Sequence, residues 1–154
     1  MEERIEEGVL DFYKRVMNLK EVDPAAYSPL VFAYVGDAVY EVIIRMKVVN
    51  GGNLQPNKLH KHSSRLVCAK TQAQMIRLLE EELTEEEHAV FKRGRNAKSS
   101  TSAKHASITD YRFATGFEAL LGWLAVTKQY KRLIELVSHG LKKIGEEKTC
   151  DTEN

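Results

Sequence analysis

An all-α fold, a single domain of about six to seven helices, is what this sequence predicts. Three observations carry the prediction. Only three prolines and nine glycines interrupt the chain, which leaves long stretches free of helix breakers. Apolar residues recur at helical rather than alternating spacing. Starts and stops are marked by Ser28-Pro29, by Asn50-Gly51-Gly52 and by Thr84 followed three residues later by Glu87. At 154 residues, 43% hydrophobic and 29% charged, the chain has the make-up of one ordinary soluble domain, long enough to bury a core.

The first helix is expected from about Glu3 to Leu19, where Ile5, Val9, Leu10, Phe12, Tyr13 and Val16 form an apolar stripe, and Asp23-Pro24 breaks it. The second begins after Ser28, with serine as cap and Pro29 in the first turn, and runs to about Val49. It is apolar nearly all round, which marks a central buried helix. Pro56 opens a third, reaching Leu79 as one element. The Thr84–Glu87 capping box opens a fourth, which should fray near Gly94, and the small polar residues of 97–107 read as a loop. A fifth helix, as apolar as the second, spans about Asp110 to Lys128, and a sixth covers Tyr130 to Ile144. The domain is thus expected over residues 1–145, with 146–154 as a polar tail.

Composition also excludes function classes. Two cysteines, Cys68 in an apolar stretch and Cys150 in a polar one, do not make a disulfide framework and suit a reduced compartment. No apolar run is long enough to span a membrane, and the acidic start Met-Glu-Glu-Arg-Ile-Glu-Glu is unlike a signal peptide, so the expected location is cytoplasmic. The net charge of +1 conceals an asymmetry: from Lys92 to Arg112 six basic residues face one acid, Asp110. Such a segment is either a solvated loop or a polyanion contact. A helix-turn-helix DNA reader would need its basic residues on a recognition helix, whereas here they fall mainly in a loop.

Two acids stand out because their neighbours are apolar: Asp37 within the second helix and Glu118 within the fifth. A buried carboxylate needs a cation, a hydrogen-bond network or a shifted pKa. The two acids either share one metal ion or pair separately with arginines or helix ends. Oxygen ligands without histidine or cysteine suit magnesium or manganese rather than zinc. Glu41, one turn after Asp37, is either an outer partner of that site or a surface salt-bridge residue. His60, His88, His105 and His139 lack metal-ligand spacing.

Four blocks occur in order: Tyr-Val-Gly-Asp-Ala-Val-Tyr-Glu (34–41), Leu-Val-Cys-Ala-Lys-Thr-Gln-Ala (66–73), Arg-Gly-Arg-Asn-Ala (93–97) and Phe-Glu-Ala-Leu-Leu-Gly (117–122). Together they resemble the nuclease domain of the ribonuclease III family, and most of all its short form, Mini-ribonuclease III, which has no separate double-stranded-RNA-binding domain. The blocks fall between residues 34 and 122; each alone is weak, and the ordered set is specific. The resemblance implies a magnesium-dependent endoribonuclease, with Mn2+ a possible substitute, in which Asp37 and Glu118 are catalytic and hold the metal. It implies products with 5′-phosphates and 3′-hydroxyls. Two carboxylates of longer relatives are absent, their places taken by Ala33 and Thr115, a reduced set that the short form shares.

The same resemblance gives the basic segment a role. Arg93, Arg95, Asn96, Lys98 and Lys104 would meet the phosphates of double-stranded or structured RNA, which in A-form is read by shape and backbone. Lys58, Lys61, His62 and Arg65 either extend that surface or are solvated helix residues. Two protomers would pair along the second helix, so that two centres face the two strands, with Tyr34 at the dimer interface in place of an intramolecular core position. The substrate implied is the precursor of large-subunit (23S) ribosomal RNA. The missing carboxylates leave one alternative, a catalytically silent RNA-binding or ribosome-assembly protein on the same scaffold.

Overall fold

A computed structural model describes residues 8–98 and 107–151, those after Gly145 by their backbone alone. Among the described residues there are seven α-helices and no strand: α1 (Val9–Val16), α2 (Pro29–Asn50), α3 (Pro56–Val67), α4 (Ala69–Leu79), α5 (Glu85–Asn96), α6 (Ile108–Val126) and α7 (Tyr130–Asp151).

The caps expected from the sequence form. Ser28 Oγ accepts from the Leu30 amide at 3.2 Å, and the Thr84–Glu87 box closes in both directions, at 2.9 and 3.2 Å. α1 ends where Asn18 takes a left-handed φ of 52°, a conformation that asparagine tolerates, and Leu19 N–H returns to the Lys14 carbonyl. The α7 backbone continues past Ile144, the end expected from its apolar pattern, to Asp151.

The expected third helix is two helices. Cys68 is extended, with ψ of 153°, between α3 and α4. The reason lies in side chains rather than in a glycine or proline. The last carbonyls of α3 are taken by three donors: Thr71 Oγ1 binds that of Arg65 at 2.6 Å, Tyr40 Oη that of Leu66 at 2.6 Å, and Gln72 Nε2 that of Val67 at 2.9 Å. With those acceptors satisfied, the backbone can turn without leaving them orphaned.

The core is built around α6, which packs against α2, α4 and α5. Every residue from Gly116 to Ala125 except Glu118 is buried. Full burial of each Phe or Leu in that run is worth about 1.5–3 kcal/mol, so α6 outweighs any other helix as the organising element. The expectation that α2 is buried all round is corrected. It buries one face only, through Phe32, Ala33, Gly36, Tyr40 and Ile44, and leaves Val31, Tyr34, Val42, Met46 and Val49 exposed. The sequence pattern is the same for a helix wrapped by its own chain and for one with a second apolar face left bare.

One buried charge ties α5 to α7. Glu87, 3% exposed, receives Arg132 Nε at 2.9 Å and Nη2 at 2.9 Å. Burial alone would raise the Glu87 pKa, but the guanidinium and the Thr84 amide outweigh it and hold the group below its ordinary value.

Candidate active site

The site begins where α2 crosses α6, glycine against glycine. A Cβ on Gly36 would overlap the carbonyl of Glu118 and come within 2.8 Å of the Gly122 nitrogen; a Cβ on Gly122 would overlap the carbonyl of Phe32. Two residues four apart on α2, Phe32 and Gly36, thus interlock with two residues four apart on α6, Glu118 and Gly122. Only glycine permits this backbone approach. It brings Asp37, the residue after Gly36, to the helix that carries Glu118.

The two acids differ in environment, which corrects the expectation that both are buried. Asp37 is exposed, whereas Glu118 is largely covered. The Asp37 carboxyl is raised above its ordinary value, by partial desolvation first and then by Glu41. Glu118 is pushed up to about 8, chiefly by burial and next by the charge of Asp37, while a hydrogen bond from Gln72 opposes the rise. Among the described residues no lysine or arginine offsets either acid, which sets aside the reading of two separate arginine pairs. Glu41 instead pairs with Arg45 of its own helix at 3.0 Å.

Ala33 and Thr115 supply no ligand. Ala33 is buried, and Thr115 Oγ1 donates to the Tyr111 carbonyl at 2.9 Å, turned back into its own helix. Among the described residues no group of three or more histidine, cysteine, aspartate or glutamate side chains could hold a metal. The donor set is therefore two carboxylates without a protein cation, one of them held uncharged near neutrality by its surroundings. That set fits a hard divalent cation, whose charge would repay the desolvation and whose remaining positions water and phosphate can fill.

Gln72 was missed in the sequence. Its side chain is 2% exposed and bridges the Val67 carbonyl and Glu118, while its Oε1 is buried with no hydrogen-bond partner among the described residues. An acceptor left so costs about 1–3 kcal/mol. The signal was present: Gln72 occupies an inward position of α4, in phase with Ala73, Ile76 and Leu79, where the pattern calls for an apolar residue.

The basic residues are partly relocated. Gly94 is not the end of α5; it is buried because α6 passes close, and a Cβ there would lie 2.6 Å from the Ala119 Cβ and 3.0 Å from the Gly116 Cα. Arg93, Arg95 and Asn96 therefore sit on the last helical turn of α5, beside the turn of α6 that carries Glu118, with Lys98 just beyond. Arg93, Asn96 and Lys98 are exposed. Arg95 lies over the rings of Phe91 and Phe113, at 5.5 and 5.6 Å. Lys104 lies outside the described residues. Tyr34 is 82% exposed, so it is not a core aromatic of its own protomer.

This domain has the all-α architecture of a nuclease, and the comparisons agree with that class. The Ribonuclease III domain model matches residues 30–129, and the chain belongs to the ribonuclease III family of endoribonucleases, which act on RNA. Mini-ribonuclease 3 of Enterococcus faecalis is 52% identical over 119 residues, 76% of this chain and 90% of that one. Mini-ribonuclease 3 of Thermoanaerobacter sp. is 39% identical over 142 residues, covering 92% and 100% of the two chains. A crystal structure of a Fusobacterium nucleatum protein superposes with a TM-score of 0.71 at 28% identity, covering 77% of this chain and 94% of that one. The family is generally divalent-metal dependent and typically dimerises. No described helix is long and apolar enough to cross a membrane.

The displaced pKa of Glu118 has a consequence for stability. A carboxyl raised in the folded state, from 4.5 to about 8, lowers stability once the unfolded chain ionises it. Its contribution is therefore most favourable below about pH 4.5 and is lost as pH rises through 8. Glu118→Gln is expected to stabilise the protein in chelator at pH 8.5 by roughly 2 kcal/mol, and to change little at pH 4.5. Urea unfolding at the two pH values measures the difference.

Proposed function

We propose that the protein is a homodimeric, magnesium-dependent endoribonuclease that cleaves double-stranded or structured RNA in the cytoplasm, with the precursor of 23S ribosomal RNA as its substrate and residues 1–145 as its nuclease domain. The observation that carries this reading is the uncompensated acid pair on the α2–α6 crossing. Asp37 and Glu118 would hold the ion. An ion held there, Mg2+ or Mn2+ in its place, would supply a water of lowered pKa and offset charge on a scissile phosphate. The chain's own part is positional. The glycine crossing fixes the backbones that bear the acids, and exposed Asp37 faces incoming RNA. Arg93, Asn96 and Lys98, with Lys104, supply contacts to backbone phosphates, and Arg95, seated on two aromatic rings, offers a guanidinium that is already ordered.

Pairing of protomers is supported by the bare face of α2. Val31, Tyr34, Val42, Met46 and Val49 are between 43% and 82% exposed, an apolar stripe that water disfavours. Tyr34→Arg is expected to weaken dimerisation by at least about thirtyfold, as loss of an aromatic anchor does. Sedimentation velocity across a concentration series reads it, and a variant as dimeric as the parent removes Tyr34 from the interface.

The decisive experiment incubates purified protein with duplex RNA and with a 23S precursor, in magnesium and in chelator, and maps both product ends. Cleavage that requires the ion and leaves 5′-phosphates and 3′-hydroxyls is expected. Cleavage that persists in chelator, or ends of the opposite kind, overturns the reading.

A further inference from the structure

Gln72 is hard to explain as packing alone. It lies on the inward face of α4, where its neighbours in phase are Ala73, Ile76 and Leu79, and its side chain is 2% exposed. An apolar residue of similar length would fill the same volume without desolvating an amide. The chain keeps the amide, and with it an Oε1 that is buried and has no partner among the described residues.

What the amide does is connect two features otherwise unrelated. Its Nε2 donates to the Val67 carbonyl at 2.9 Å, where α3 ends, and the same side chain reaches the Glu118 carboxyl as a donor that favours its charged form. The Val67 bond fixes which end of the amide is nitrogen, because an oxygen there would oppose the carbonyl oxygen. With that end fixed, a donor is directed at Glu118. Glu118 is thereby met from α4 at its side chain, while its backbone is locked by the Gly36 contact on the opposite helix.

We infer that Gln72 is the positioning residue of the metal centre: it orients the Glu118 carboxylate toward the ion from behind, and its bond to Val67 fixes it in turn. The inference rests on the reading of Asp37 and Glu118 as ion ligands. A site with two protein carboxylates has little redundancy, so an ill-aimed Glu118 forfeits much of the protein's share of the coordination. Residues that hold metal ligands from behind change ion affinity by about 10- to 100-fold when removed.

Two variants separate this role from a structural one, Gln72→Met and Gln72→Leu, which keep the volume and remove the amide. The probe is Mn2+, added to RNA-free protein and followed by the rise in melting temperature. The wild type is expected to respond, and Asp37→Asn to respond weakly or not at all. Both Gln72 variants should need at least about tenfold more Mn2+ for half the response, while melting in chelator at or above the wild-type temperature. Loss of stability and loss of ion affinity would go together for a merely structural residue; here they should part. With RNA added, excess Mn2+ should restore the kcat of the variants and leave their KM for RNA unchanged. An Mn2+ midpoint within twofold of wild type overturns the inference, and so does failure of both variants to fold. A wild type that neither responds to Mn2+ nor cleaves RNA would overturn the reading of the site itself, a result distinguishable from the first.

Discussion

Replacing Asp37 by asparagine is expected to lower RNA cleavage by at least about a thousandfold and to leave the melting temperature in chelator unchanged or slightly raised. The rate effect follows from the small donor set. With Ala33 buried and Thr115 bonded to its own helix, no third carboxylate among the described residues takes over when one of the pair loses its charge. Loss of several kcal/mol of charge stabilisation corresponds to three or more factors of ten, at about 1.4 kcal/mol each. The stability effect has the opposite sign because Asp37 helps to raise the Glu118 pKa, so the two acids repel in the ion-free protein wherever both are ionised. Asparagine keeps the shape and removes the repulsion. Single-turnover cleavage with saturating enzyme, alongside thermal unfolding, measures both. A variant that cleaves at a tenth of the wild-type rate or faster would show that Asp37 is not a principal ligand.

Adding one methyl group at Gly36 should be among the most damaging substitutions in the protein. In Gly36→Ala the new carbon would overlap the Glu118 carbonyl, with the Gly122 nitrogen also within 2.8 Å. Both obstacles are backbone atoms of the most deeply buried helix, so no side chain can rotate away. Alanine favours helix over glycine by about 1 kcal/mol, which offsets only part of the cost. Separating α2 from α6 would open gaps around Tyr40 and Phe117, whose rings meet edge to face at 5.8 Å. A net loss of about 3 kcal/mol or more is expected, at the upper end for overpacking because the backbone itself must move. Chemical denaturation reads it. Gly51→Ala is the control: it stands at a helix end with φ of −74°, and its nearest contact would be the Val48 carbonyl at 3.2 Å. A Gly36→Ala protein as stable as that control would mean that the crossing is looser than described.

Much of the fold could be read from the chain because its punctuation is local. Ser28, Gly51 and the Thr84–Glu87 pair act within one turn of where they stand, so their meaning does not depend on the rest of the protein. The break at Cys68 was not legible for the opposite reason. It depends on Tyr40, which comes from another helix, 26 residues from the Leu66 carbonyl it binds, and on Thr71 and Gln72, whose residue types are common within helices. Gly94 misled because glycine has two uses, ending a helix and admitting a neighbouring one, and only the partner helix decides between them.

The acids were found from their apolar neighbours, although the inference of burial held for Glu118 alone. Asp37 sits among apolar residues because α2 has a second apolar face, bare in the protomer, and not because the chain encloses it. The family blocks point to the same two residues, which α2 and α6 carry beside their crossing. Gln72 escaped notice because a glutamine attracts attention only once its surroundings are known to be dry.

The α2–α6 crossing separates two properties that evolution usually has to adjust together. Where side chains set the distance between two helices, each change of core volume also shifts whatever those helices carry. Here main chain rests on main chain at Gly36 and Gly122, and the spacing of the acid-bearing backbones is set by backbone atoms rather than by side-chain volume. Residues such as Leu120, Leu124 and Ile44 can then drift among apolar types, making the protein hardier or frailer as its host's temperature demands, while the spacing of the acid-bearing backbones stays the same. Lineages living at very different temperatures could share one cutting geometry on cores that have diverged.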